Sequence, residues 1–393
     1  MPGGVPPASP EDSARPSWGA LTDIVLRRLS MSTKVKSSSN SRRASRSATP
    51  AQSGRRATSY DVAHLAGVSQ SAVSRAFIAD APISAPLRKK VLAAARQLSY
   101  RPNAVARSLT TSRSRVVAFF VPNIGNPIYP FVLEAFSHRL RALDHQILLL
   151  PLVESASEAL AWLIQYQVEG LVITAASPLA LSKAIARKCL KARIPVVLFN
   201  RYFPDVRAAS VNCDNARGGA VVAEMLRAAG HRRFAFIGGP EETSTHADRR
   251  TGFVDRLREL GAPAPLIETT AFSYSGGHAA GLRVLARRDP PDAIFCVTDL
   301  IALGVLDAAR HSHGLEVPGD VSIVGFDDVP MAAWAGNGLT TVRTPVEPMV
   351  TRAVELLMQE MEQRHGHAEV VRIPGELVLR NSARTAPADA KPT

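Results

Sequence analysis

Through the last seven-tenths of this 393-residue chain, short β-branched runs alternate with helix-length amphipathic stretches. The runs predict strands over 116–121, 147–150, 170–173, 196–199, 233–237, 293–297 and 322–325. Helices fit between them, for example over 128–143, 216–229, 245–259, 299–313 and 349–363. Near-continuous apolar strands separated by helices predict parallel sheets covered on both faces. Roughly 270 residues is large for one such sheet and suits two lobes. No apolar run approaches the ~20 residues of a membrane helix.

Before residue 116 the chain has another character. Residues 1–115 hold 19 Lys/Arg against 5 Asp/Glu, whereas residues 116–393 hold 28 against 29. A surplus confined to one end points to a nucleic-acid or anionic partner for that end. Of the surplus, residues 1–57 carry ten Lys/Arg against three acids in a Ser/Arg/Ala-rich stretch that is too poor in apolar residues for a core, and a disordered basic tail is expected there. The start, MPGGVPPASP, has no basic residues followed by an apolar run, so no secretory signal is expected. Cys189, Cys213 and Cys296 are far apart and odd in number. They fit no zinc spacing and read as reduced thiols of a cytosolic protein.

Order is expected to begin near Thr58. In SYDVAHLAGVSQSAVSRAF, Val62, Ala63, Ala66, Val68, Val73 and Ala76 give each of two short helices an inward face. Gly67 stands between them, where a tight turn needs positive φ, and Ser69 can cap the second helix. This is the layout of a helix-turn-helix, whose second helix enters the major groove. Gln70, Ser71 and Arg75 would face the bases: Gln pairs with adenine, Arg with guanine, and Ser is less selective; Ala72 would touch a thymine methyl. A third helix is expected over 85–98, with Ser84 as cap, Pro86 in its first turn, and Val91, Leu92, Ala95 and Leu98 buried. Arg88, Lys89 and Lys90 would meet phosphate or solvent.

The run DVAHLAGVSQSAVSRAF, followed by LRKKVLAAARQLSYRPNAVARSL, resembles the DNA-binding headpiece of the LacI/GalR (lactose-repressor and purine-repressor type) regulators. Further on, VPNIGNPIYP, VEGLVI, IPVVLFNR, GHRRFAFIGGP, DAIFCVTDLIALGVL, VPGDVSIVGFDDVPMAAW and LTTVRTPV resemble the family's effector-binding core, in order, so that the likeness spans residues 58–383. It implies an N-terminal all-α helix-turn-helix headpiece (58–101), a hinge helix and linker (102–115), and an α/β two-lobed periplasmic-binding-protein-like domain with parallel sheets that binds effector and dimerises (116–383). Residues 384–393 are left as a disordered tail. The resemblance implies DNA contacts from Thr58, Tyr60, Ser69, Gln70, Ser71, Ala72, Arg75, Tyr100, Asn103, Ala106 and Leu109. Leu109 would be a wedge that unstacks a base step in the minor groove. It further implies a pseudo-palindromic double-stranded operator, a homodimer, and a cytoplasmic, nucleoid-associated bacterial repressor. Ile78 departs from the Asn usual in the family and cannot donate to phosphate.

In open α/β sheets, ligands bind beyond the carboxyl ends of the strands. The residues there are 122–129 after the first predicted strand, Asn200-Arg201 after the fourth, Gly238-Gly239-Pro240 and the following helix with Arg249, then Thr298-Asp299 and Phe326-Asp327-Asp328. From these and the resemblance, the expected effector contacts are Asn126, Tyr129, Asn200, Arg249, Phe272, Thr298 and Asp327. Thr298 stands where Asn is usual, which implies an altered hydrogen-bond pattern. The effector would be small and polar, a sugar or sugar derivative. A transport binding protein would explain the lobes but not the helix-turn-helix. An enzyme would need a motif, yet GxxxxGK[ST], GxSxG and HExxH are all missing. No cofactor or metal is implied; His311/His313 and His365/His367 sit near predicted helix ends among polar residues.

Overall fold

The computed structural model describes residues 57–78, 81–101, 113–121, 124–150, 153–174, 179–241, 243–363 and 368–385. Three helices form the N-terminal unit: α1 (Ser59–Ala66), α2 (Gln70–Ala76) and α3 (Ala85–Gln97). Thr58 accepts from the Asp61 amide while the Asp61 carboxylate accepts from the Thr58 amide at 2.8 Å, a reciprocal cap for α1. Gly67 takes φ +60 and ends the helix. Ser69 then caps α2 by accepting from the Ala72 amide. Val62, Ala66, Val73, Ala76, Val91, Ala94 and Ala95 close a small core. Three expectations for α3 fail. Ser84 occupies the cap position without a side-chain hydrogen bond. Leu92 and Leu98 are only half-buried, and Ala94, one turn on from Val91, takes the inner position.

The first lobe opens with β1 (Val116–Phe120), α4 (Ile128–Ala142), β2 (Gln146–Leu150), α5 (Ala156–Gln165), β3 (Gly170–Ile173), α6 (Leu179–Lys191), β4 (Val196–Phe199) and β5 (Ala209–Cys213). The second contains α7 (Asn215–Ala228), β6 (Phe234–Gly238), α8 (Ser244–Glu259), β7 (Leu266–Thr269), α9 (Tyr274–Leu285), β8 (Ala293–Cys296), α10 (Asp299–Asp307), β9 (Ser322–Asp327) and β10 (Thr340–Arg343). The chain then runs through α11 (Val346–Gln363), β11 (Val370–Ile373) and β12 (Glu376–Val378). Two six-stranded sheets result, ordered β11-β5-β4-β3-β1-β2 and β12-β10-β9-β8-β6-β7. Neighbours are parallel except β10 and β12. Central strands are buried throughout, which is why they read as unbroken apolar runs. Phe119, Phe136 and Phe199 pack edge to face at 4.8 and 5.1 Å in the first lobe, and Phe236, Phe253 and Phe295 cluster in the second.

Each of the seven predicted strands forms, with ends shifted by up to two residues. Five strands escaped prediction: β5, β7, β10, β11 and β12. They are short, carry polar residues (Ser210 and Asn212 in β5, Thr340 and Thr341 in β10), or lie at sheet edges, so no apolar run marks them. The helix expected over 299–313 stays α-helical only to Asp307 and finishes in a wider turn over Ala308–Ser312, where the His313 amide donates five residues back to Ala308. The domain edges also move. Ser114, expected in the linker, donates to the Gln167 carbonyl, and Arg115 pairs with Asp144, so both are docked on the first lobe. Arg384, expected in the tail, donates its amide to Ser322 at 2.9 Å and reaches His231 at 3.1 Å.

Candidate DNA-reading surface and effector cavity

On the headpiece, Tyr60, Gln70, Ser71 and Arg75 are exposed, with Tyr60 at 68%. The Gln70 side-chain amide donates to Ser59 at 3.0 Å, which holds the N-terminal ends of α1 and α2 side by side. Ser69 and Ser71 hydroxyls lie 2.9 Å apart, and Arg75 bonds back to the Ser71 carbonyl. This face offers polar side chains at the start of a helix, where base edges are read. Ala72 does not belong to it. At 6% exposure it offers almost no surface to a base, so the expected thymine contact is corrected. Tyr100 is half-buried, with its ring edge to face on Phe77 at 5.9 Å. Arg88 is likewise not a free phosphate ligand: it donates to the carbonyls of Ala76, Ile78 and Ala81 and ties the end of α2 to the following turn. Asn103, Ala106 and Leu109, with the rest of the expected hinge helix, lie outside the described residues.

All seven expected effector residues line one cavity between the lobes. Asn126, Tyr129 and Asn200 come from the first lobe; Arg249, Phe272, Thr298 and Asp327 come from the second. Ile128, Arg201 and Thr245 complete the lining. Arg249, on α8, is 2% exposed. Its Nε donates to Asn215 at 2.8 Å, Nη1 to the Val297 carbonyl at 2.5 Å and Nη2 to Asp327 at 3.2 Å. Its guanidinium lies 3.5 Å above the Phe326 ring. Glycines make this placement possible. A Cβ on Gly219 of α7 would overlap the Arg249 carbonyl, and one on Gly252 of α8 would overlap the Ala216 carbonyl, so the two helices cross at backbone contact.

Strand ends aim the other groups. Asn200, after β4, has φ 51, and Asp327, closing β9, has φ 117, a strained value for a non-glycine residue. Burial pushes the Asp327 carboxyl up, opposed by Arg249 and by the Thr344 hydroxyl. Behind it, Asp299 accepts from Thr341 and from the Val329 amide, and burial raises its pKa to about 7. Tyr129 donates to the Thr174 carbonyl at 3.1 Å, and burial raises its phenol. Thr298 caps α10 by accepting from Ile301, so its hydroxyl is already partly engaged.

Arg201 was among the strand-end residues but not among those the resemblance selects. It is 3% exposed and lines the cavity beside Asn200. Asn215, which orients Arg249, carried no sequence signal beyond its place at the start of α7. Among the described residues, no cluster of His, Cys, Asp and Glu could hold a metal ion, and no helix is long and apolar enough to cross a membrane. The three cysteines are free and buried.

A helix-turn-helix joined to two α/β lobes around a polar cavity is the build of a ligand-responsive DNA-binding regulator. Comparison with known proteins agrees. The model of the bacterial regulatory proteins of the lacI family matches residues 58–103, and that of the periplasmic binding protein-like domain matches residues 223–383. The chain is 31% identical over 330 residues to the HTH-type transcriptional regulator DegA of Bacillus subtilis (strain 168), covering 83% of this chain and 97% of that one. It is 30% identical over 338 residues to the HTH-type transcriptional repressor CytR of Escherichia coli (strain K12), covering 84% and 97%. The crystal structure of the lac repressor dimer bound to operator and the anti-inducer ONPF shares the fold, with TM-score 0.73, 24% identity, and coverage of 84% of this chain and 100% of that one. The chain belongs to the LacI family of bacterial regulatory proteins. It is a DNA-binding transcriptional regulator rather than an enzyme.

Proposed function

We propose that the protein is a homodimeric repressor of the bacterial cytoplasm and nucleoid, controlled by a small polar effector of the sugar type. Two headpieces (58–101) read the half-sites of a pseudo-palindromic operator through Gln70, Ser71 and Arg75, while Thr58, Tyr60, Ser69 and Tyr100 hold that surface in register with the backbone. The hinge segment ahead of Ser114 carries Asn103, Ala106 and the wedge Leu109 into the minor groove. The effector lies between the lobes of 116–383, hydrogen-bonded by Asn126, Asn200, Arg249, Thr298 and Asp327 and walled by Tyr129 and Phe272.

The observation that carries this reading is the two-sided cavity lining, with polar and aromatic groups contributed by both lobes. A ligand bridging them favours lobe closure, and a closure coupled to the dimer by about 1–3 kcal/mol shifts operator occupancy by one to two orders of magnitude. A gel shift of the full chain on the region upstream of its own gene tests it. A shift that resists nonspecific competitor and responds to a sugar or sugar acid is expected. If no sequence-specific shift appears with any candidate ligand, the regulator reading fails.

A further inference from the structure

Taking the cavity as the effector site proposed above, we infer that Tyr202 latches the two lobes together beside that cavity and so biases the lobe closure to which operator binding responds. Tyr202 follows two cavity residues, Asn200 and Arg201, in the loop between β4 and β5. The loop itself is anchored in the first lobe. Phe203 and Val206 are buried in that lobe's core, and Asp205 pairs with Lys183 at 3.2 Å and with Arg187, both on α6. Yet Tyr202 directs both of its donors at the second lobe. Its phenol donates to Asp248 at 2.8 Å and its backbone amide to the Ser244 hydroxyl at 3.3 Å. Ser244 and Asp248 stand one turn apart on α8 and share a face of it. Arg249, the next residue, lines the cavity. Arg372, from β11 of the first lobe, lies with its guanidinium 5.9 Å from the centre of the Tyr202 ring.

Both members of the bond are half-buried, and burial is the main influence raising the Tyr202 phenol and the Asp248 carboxyl. With a carboxylate as acceptor the bond is charge-assisted. Such a bond weakens steeply with small changes of distance and angle. A rotation of one lobe against the other therefore parts it, even close to the crossing from β11 to β12. A bond confined to one lobe is indifferent to that motion. A bond across the lobes stabilises their closed arrangement over the open one and leaves each lobe by itself unchanged. An effector that favours closure then needs less differential affinity to shift the population.

The test is hydrogen exchange, read by mass spectrometry on the full chain without added sugar, for Tyr202→Phe, Asp248→Ala and the double variant. Peptides over 126–132 and 298–303 carry cavity residues of the first and second lobe, and neither contains a latch residue. Lobe opening exposes both. Allowing for the half-exposure of the bond, exchange about three- to tenfold faster is expected in each variant, with β3 unchanged. The double variant should exceed neither single one, because the two changes remove the same bond. Tyr274→Phe is the control: its phenol bonds Asp307 within the second lobe, and its loss should leave both peptides as they are. Exchange in Tyr202→Phe no faster than in the wild type would overturn the proposal. So would equal acceleration by Tyr274→Phe, the mark of a merely structural tyrosine, or effects that add fully in the double variant. In the gel shift, Tyr202→Phe should move the operator midpoint at least about threefold. An unchanged midpoint beside faster exchange would also overturn the proposal, since the latch would then bias nothing that operator binding senses. A wild-type chain without a specific gel shift would sink the regulator reading alone, and the exchange measurements would still decide the latch.

Discussion

Arg88 and Arg201 are both single arginines whose roles the sequence leaves open, and folding gives them different situations. Arg88 spends its donors on three backbone carbonyls at the end of α2. Arg201 hydrogen-bonds the Tyr129 phenol, while its Nε and Nη1 have no partner among the described residues. Charge-assisted bonds of the first kind contribute about 1.5–3 kcal/mol before allowance for exposure. Arg88→Ala should therefore loosen the headpiece, seen as faster hydrogen exchange of the α2 amides, by roughly 1–2 kcal/mol. Lys89→Ala, on an exposed residue of the same helix, should instead flatten the salt dependence of DNA binding by about one unit of slope. If Arg88→Ala changes only the salt slope, its structural role is refuted. Ala72 teaches the same lesson in reverse: its position in the motif suggested a base contact, but it is buried at 6% exposure.

At the scale of elements, the crossing of α7 and α8 positions Arg249, and Gly219 and Gly252 permit it. Gly252→Ala forces a methyl group against the Ala216 carbonyl. Overpacking of this kind costs about 1–3 kcal/mol and sometimes more. We expect a lower urea midpoint together with weakened effector binding, since the shift is transmitted to Arg249 itself. An unchanged midpoint would mean that the crossing is not tight. The strands show why prediction succeeds where it does. β3, β4 and β8 are buried on both faces and announce themselves as apolar runs. β11 and β12 are edge strands with exposed positions, and only pairing to β5 and β10 makes them strands.

For the whole molecule, the chain passes between the sheets on the way from β5 to β6, from β10 to β11 and from β11 to β12. Multiple connections of this sort let two lobes close as units around a ligand. Charge divides along the same lines as function. Residues 58–115 carry nine Lys/Arg against two acids, and residues 1–57 ten against three. Deleting residues 1–56 should reduce the salt slope of DNA binding while leaving the ratio of specific to nonspecific affinity unchanged, measured by fluorescence anisotropy at several salt concentrations. A changed ratio would mean that the N-terminal stretch reads sequence.

By itself the sequence pointed to the two-part plan: the glycine-centred helix pair, the parallel-sheet lobes, and the strand ends and following helix that carry Asn126, Tyr129, Asn200, Arg249, Thr298 and Asp327, with Phe272 added by the family resemblance. Periodicity, turn chemistry and charge are local, and they can be read along the chain. Only the tertiary structure decided which polar groups satisfy one another. Satisfaction is a property of packing between distant segments: Arg249 finds Asn215, Val297 and Asp327 far away in the chain, while Arg201, next to an expected ligand contact, finds no such set.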